Sequence, residues 1–222
     1  RILIGGPSAV VESIASVPHG SEYYLYLVVS RLIDGANVRT IEYIRPDFEY
    51  TSTTDWDSAV YSDNYKQGTL SGTVTTITGL TDYESADVVC QVGTIFMTGT
   101  VNASGVLTLS AAIQAAGTDG KTYRVGFAYT GWFKAFPPEV QNVNGTAQGK
   151  VKRIANMVVR LKDTTNFSHG IDPTNLRFED FAQASDAAGA PPPHRSEDFR
   201  ISFDNGLDTR AAFSIKQTQP YP

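Results

Sequence analysis

Y-Y-L-Y-L-V-V-S (23–30) runs on through R-L-I to Asp34-Gly35, and V-R-T-I-E-Y-I (38–44) returns. β-Branched and aromatic residues dominate both runs, and such side chains suit the pleated, half-buried surface of a sheet. Asp-Gly between them is a strong hairpin signal, because glycine takes a positive φ without steric cost. On the returning run Val38, Thr40, Glu42 and Ile44 face one way, and Arg39, Ile41 and Tyr43 the other. Val10–Val17 reads as an earlier strand that leads into a turn at Pro18-His19-Gly20-Ser21. Three strands joined by two tight turns make a β-meander.

The chain continues in the same idiom. Arg45-Pro46 stops the third strand, and Phe48–Gln67 reads as an irregular crossing rich in Asp, Thr, Ser and Tyr. Short strands then follow at regular spacing: T-V-T-T-I (73–77), A-D-V-V-C-Q-V (86–92), T-I-F-M-T-G-T-V (94–101) and G-V-L-T-L (105–109). Gly79, Gly93, Gly99, Gly105 and Gly117 punctuate them, and Ala111–Ala116 suits a single helical turn. Beyond Val125 the chain is expected to rejoin the first domain. The fold class expected is therefore all-β: a meander- or sandwich-like domain formed by 1–68 plus 125–222, interrupted by a small inserted β domain at 69–124.

In the last part, Met157, Val159 and Leu161 alternate with Val158, Arg160 and Lys162, the period-2 pattern of a half-buried strand. A helix across 147–162 is the rival, since Gln, Lys, Ala and Met favour helices. D-F-R-I-S-F (198–203) and R-A-A-F-S-I-K-Q (210–217) read as strands around Asp204-Asn205-Gly206, and Phe181–Pro193 as a small-residue, proline-ended loop. Phe127, Tyr129, Trp132, Phe133 and Phe136 offer apolar surface for packing or assembly. Lys150, Lys152, Arg153, Arg160 and Lys162 place positive charge along the strand that follows.

Composition excludes several classes. The 222 residues carry a net charge of −5, and only 18% of them are charged. Residues 1–68 hold 5 Lys/Arg against 9 Asp/Glu, a net of −4, whereas 127–222 hold 11 against 10. A domain that binds nucleic acid needs a basic excess to neutralise phosphates. Cys90, the single cysteine, cannot form an internal disulfide and reads as a buried strand residue. No apolar run approaches the roughly 18 residues of a membrane span, and no signal-peptide pattern is visible. The opening Arg1-Ile2-Leu3-Ile4 suggests a piece of a longer protein.

No constellation for chemistry stands out. His19, His169 and His194 are far apart, each in a turn context without a nearby ligand pair. Asp55-Trp56-Asp57 and Asp204–Asp208 lack the glutamate that closes an EF-hand loop. The doublets Glu179/Asp180 and Glu197/Asp198 would point to opposite faces of a strand, which is wrong for a glycosidase pair. The expectation is no enzyme, no catalytic residue, no cofactor and no metal.

Three cassettes in order resemble the bacteriophage tail nozzle proteins, also called tail tubular protein B. They are V-E-S-I-A-S-V-P-H-G-S-E with L-V-V-S-R-L-I-D-G and V-R-T-I-E-Y-I (11–44), and I-T-G-L-T-D-Y-E-S-A-D-V (77–88). The third is V-G-F-A-Y-T (125–130), followed by G-T-A-Q-G-K-V-K-R-I and V-V-R-L-K-D within 145–163 and S-I-K-Q-T-Q-P-Y-P (214–222). Phe127-Ala128 and Thr81-Asp82-Tyr83 depart from the family's usual spelling. The resemblance implies the C-terminal part of a longer structural protein, assembled in the host cytoplasm into a virion. There it would form a homo-oligomeric ring of six copies below the tail adaptor, closing the channel and passing double-stranded DNA without specific binding. A carbohydrate- or receptor-binding β module is the rival from another class, with Trp56, Tyr61, Tyr65 or Trp132 stacking on sugars.

Overall fold

Asp34 and Gly35 adopt φ of +46° and +76°, and Ile33 pairs directly with Ala36 across them. The turn is thus the two-residue kind whose twist matches its strands. The computed structural model describes residues 2–44, 60–139, 146, 149–162, 164–181, 195–203 and 206–217. In chain order its strands begin with β1 (Ile2–Leu3), β2 (Val10–His19), β3 (Glu22–Ile33), β4 (Ala36–Ile44) and β5 (Asp63–Thr69). Next come β6 (Thr76–Ile77), β7 (Asp87–Val92), β8 (Ile95–Thr100), β9 (Leu107–Thr108), one short helix α1 (Ala111–Ala115) and β10 (Thr122–Phe127). The remainder is β11 (Thr130–Lys134), β12 (Asn156–Arg160), β13 (Asn166–Asp172), β14 (Asn175–Asp180), β15 (Asp198–Ser202) and β16 (Ser214–Gln217). The protein is all-β. Among the described residues no helix is long and apolar enough to cross a membrane.

Contacts divide the chain into two units. The first is built on Ile4–Tyr129; the second combines Arg1–Leu3 with the described residues from Thr130 onward. In the first unit, β5-β10-β7-β8 form an antiparallel sheet, β6 pairs β9, and β2-β3-β4 form the meander. Val88, Cys90 and Val92 of β7 join Val125 and Phe127 of β10 in one core with Leu80, Tyr83, Leu107 and Ile113. Strand β7 is buried on both faces from Val88 to Val92, as a continuous apolar run requires. Ser110 caps α1 by accepting a hydrogen bond from the Ile113 N–H, which supports the expected single helical turn.

In the second unit the sheet order is β1-β11-β16-β13-β14, with β12 and β15 paired separately. Phe167, Phe181, Ile201 and Phe203 are buried together there, with Met157, Val159, Phe199 and Ile215 packed around them. Residues 156–160 are a strand and not a helix: Met157 and Val159 turn inward while Val158 is exposed.

Four expectations need correction. Boundaries at 68/69 and 124/125 would cut through a sheet, because β10 spans the second of them and lies between β5 and β7. The division falls at 129/130 instead, and among the described strands before it only β1 pairs with the later chain, Leu3 with Thr130. The stretch read as an irregular crossing lies outside the described residues over 48–59, and its end is the first part of β5, whose polar D-N-Y-K-Q-G-T is held as a strand by β10. The hairpin β13–β14 carries no apolar alternation and was not expected as strands. Finally, the long basic strand is short. Lys150 and Arg153 precede β12, and Lys152 makes one isolated bridge to Asp208.

Cys90 is fully buried, and burial pushes its thiol up to about 12, so almost no thiolate exists at neutral pH. Folded protein should therefore resist iodoacetamide, and the same reagent should label it rapidly in denaturant. Mass spectrometry after timed alkylation checks this; full labelling of the native chain within minutes would contradict it.

Candidate functional site

Strand β3 is written for burial on both faces. Tyr24, Tyr26 and Val28 alternate with Leu25, Leu27 and Val29, so neither face is polar. Directly opposed residues share a face, and the register assigns each side. Val17, Tyr24, Tyr26, Ile41 and Tyr43 lie on the front; Ile14, Tyr23, Leu25, Leu27 and Ile44 lie on the back.

The back is covered only over its proximal half. Leu27, Val29, Arg31 and Ile33 are buried, and Ile33 enters the core of the first unit. Distally Tyr23 is 72% exposed, and Ile14, opposite Leu27, is 62% exposed. On the front, Ile41 is 77% exposed and Tyr43 is exposed beside it, whereas Tyr24, Tyr26 and Val28 of the central strand are half-buried. The aromatic rings of this face stack on one another: His19 on Tyr24 at 4.5 Å, Tyr24 on Tyr43 at 5.6 Å, and Tyr26 against Tyr43 at 5.7 Å between centroids. Such ladders prefix the rings in one orientation, and rigid aromatic surface is what partner contacts favour.

A buried cation ties this sheet to the rest of its unit. Arg31 is 2% exposed. Its Nε donates to the Gly5 carbonyl at 2.8 Å, its Nη1 to Thr40 Oγ1 at 3.0 Å, and its Nη2 to Glu42 Oε2 at 3.1 Å. Nη1 also pairs with Glu42 Oε1. The guanidinium carbon sits 5.1 Å from the centre of the Phe127 ring, which is itself edge-on to Tyr83. The Gly5 N–H donates to Asp63 Oδ2 at 2.7 Å. Burial raises the Asp63 carboxyl above its usual range, against the opposing pull of that hydrogen bond and of Arg31. Burial likewise raises the Tyr129 hydroxyl, with the Asp63 charge adding to it. Gly6, at φ +104°, has no room for a Cβ, which would meet the Arg31 Cδ at 2.6 Å.

This anchor went unremarked in the sequence, though the turn register encodes it. Arg31 lies opposite Val38, which places Thr40 and Glu42 on the same face further along β4. An arginine inside an apolar strand, with a glutamate on that face of its hairpin partner, is the signal.

Among the described residues, those singled out for chemistry do not converge. His169 is a core residue of the second unit, 4% exposed, its Nε2 3.1 Å from Glu179 Oε1 and its ring against Phe203. Glu179 also binds Arg177, Asp198 binds Arg160, and Glu197 binds Arg195. Among the described residues no three His, Cys, Asp or Glu side chains gather as a metal site would need. Tyr61 is buried against Phe96, where it cannot stack on a sugar. Asp55, Trp56, Asp57, His194, Asp204 and Asn205 lie outside the described residues, as does most of the proline-ended loop. No family model matches the chain, and no curated protein matches it.

Proposed function

We propose that this chain is a self-assembling structural subunit, and that its assembly is the nozzle ring of a short-tailed bacteriophage tail. The observation that carries the assembly part is the meander, which leaves large aromatic and aliphatic side chains exposed on two faces. Single exposed apolar residues are ordinary on a monomer, but a contiguous two-sided patch marks a partner surface. The three ordered cassettes supply the nozzle part. In that setting the ring, of six copies, meets the tail adaptor and other tail proteins in the virion and lets duplex DNA slide through.

The charge supports an unsticky channel. Residues 1–68 carry a net of −4, and each phosphate neutralised by protein adds affinity that advancing DNA would have to undo. Lys150, Lys152 and Arg153 then face a neighbouring subunit or solvent. Negative-stain electron microscopy of the purified chain tests the assembly: rings with an open centre are expected, and single particles at every concentration overturn it. A duplex-DNA titration at low salt tests the channel. No binding of micromolar strength is expected; binding lost on replacing Lys150, Lys152 and Arg153 would put those residues on DNA.

A further inference from the structure

We infer that Asp63 is a proton-operated latch: by taking up one proton it fastens the Gly5 peptide, which ties the base of the β2-β3-β4 meander to strands β5 and β10. The inference does not rest on the assembly reading, since every group in it belongs to one copy and one unit.

Gly5 is held from both sides. Its carbonyl accepts from Arg31 of β3, and its N–H donates to Asp63 at the head of β5. There is no slack at this point: a Cβ on Gly5 would meet the Ala128 carbonyl oxygen at 2.5 Å and the Phe127 Cβ at 2.8 Å. Two residues on, the Leu32 N–H donates to the Pro7 carbonyl at 3.0 Å, a second rung between this segment and β3.

One cation serves two carboxylates here. The described hydrogen bonds of the Arg31 guanidinium go to Gly5, Thr40 and Glu42, and none goes to Asp63. Asp63 is half-buried, and among the described residues the Gly5 N–H is the one hydrogen bond to its carboxyl. It therefore carries the surplus negative charge of the cluster. Burial favours its neutral form and Glu42 pushes the same way, outweighing Gly5 and Arg31. Tyr83 and Tyr129 also face the cluster. Burial raises both hydroxyls, helped by Asp82 at Tyr83 and by Asp63 at Tyr129, so neither ionises in acid. Lys66, further along β5, donates to the Gly79 carbonyl.

A carboxyl that holds its proton more tightly when folded than when unfolded adds stability as pH falls. The gain starts as pH drops through the folded value, and it is complete near the ordinary carboxylate value of about 4. Protonation leaves Arg31 and Glu42 as a balanced pair, and the carboxyl still offers the Gly5 N–H an acceptor.

Urea unfolding of the full chain beside Asp63→Asn, between about pH 7 and pH 4.5, is the test. Asparagine keeps the shape and an acceptor for Gly5 but carries no charge. The variant should be the more stable protein at pH 7, and the difference should vanish towards the acid end, where the parent has gained its proton. Comparing the two curves cancels His19, His169 and His194, which both proteins share. Amide exchange localises the effect: protection at Gly5 and Leu32, corrected for the intrinsic pH dependence of exchange, should rise on acidification in the parent only. A carbon-13 NMR titration of the Asp63 carboxyl in the folded parent serves should Asp63→Asn misfold, and its midpoint should lie above the ordinary range. In Glu42→Gln that midpoint should move down, because Arg31 then has Asp63 as its one carboxylate. A parent more stable than Asp63→Asn at pH 7, protection that rises equally in both proteins, or a midpoint at or below the ordinary range would each overturn the latch. A midpoint unmoved in Glu42→Gln would overturn the sharing of one cation on which it rests.

Discussion

Glu42→Ala should remove about 3 kcal/mol of stability, at the low end of the range for breaking one side of a buried ion pair. Arg31 keeps its hydrogen bonds to Gly5 and Thr40, but its charge stays buried after the carboxylate that grips both terminal nitrogens has gone. Asp63 remains in the same electrostatic neighbourhood, which limits the loss. The paired change Arg31→Met with Glu42→Leu should recover most of it, since apolar side chains of similar volume replace such pairs at little cost or with gain. Urea unfolding of the parent, Arg31→Met, Glu42→Leu and the double variant measures the coupling. A Glu42→Ala loss under 1 kcal/mol would show that water reaches the guanidinium in solution.

Gly170→Ala should cost on the order of 3 kcal/mol in the second unit, at or above the top of the range for overpacking. Gly170 sits in β13 between β14 and β16, opposite Leu176 and Ser214. A Cβ there would overlap the Asn175 carbonyl oxygen, and backbone cannot step aside as a side chain can. The strand must shift, which disturbs His169 and Phe167, the buried residues one and three positions earlier in the strand. Gly131→Ala in the same sheet is the control, because nothing lies within 4 Å of its added Cβ; it should stay within about 0.5 kcal/mol. Amide hydrogen exchange across β13 and β14, together with thermal melts, distinguishes the two. Equal melts would show that the β13–β14 spacing is looser than described.

The meander was legible because two local signals agree in it: aromatic and β-branched runs, and a turn that fixes register. Strands β7 and β8 were legible for the same reason, with Gly93 at φ +57° between them. The hairpin β13–β14 was not. Its buried residues include Asn166, Ser168 and His169, polar side chains that tertiary packing encloses. Nor was the unit boundary, since Val125-Gly126-Phe127 runs unbroken across the place where one was expected, and pairing with distant strands decides it. The exposed sheet was half legible. Burial on both faces could be read from β3, but only the coordinates show that the chain itself covers just part of it.

The pairing of Leu3 with Thr130 has a consequence for how this protein is made. Opposed residues of an antiparallel pair lie about 4.5–5.5 Å apart, so the first unit leaves the second and returns to it through adjacent doorposts. A ribosome delivers Ile4–Tyr129 in full before β11 emerges to close that gap. The first unit can thus mature during synthesis, while β1 waits for a partner that arrives late. Because its entrance and exit touch, the same gap could be bridged by a short turn. The Ile4–Tyr129 unit therefore enters and leaves at one point of the sheet that holds β1 and β11.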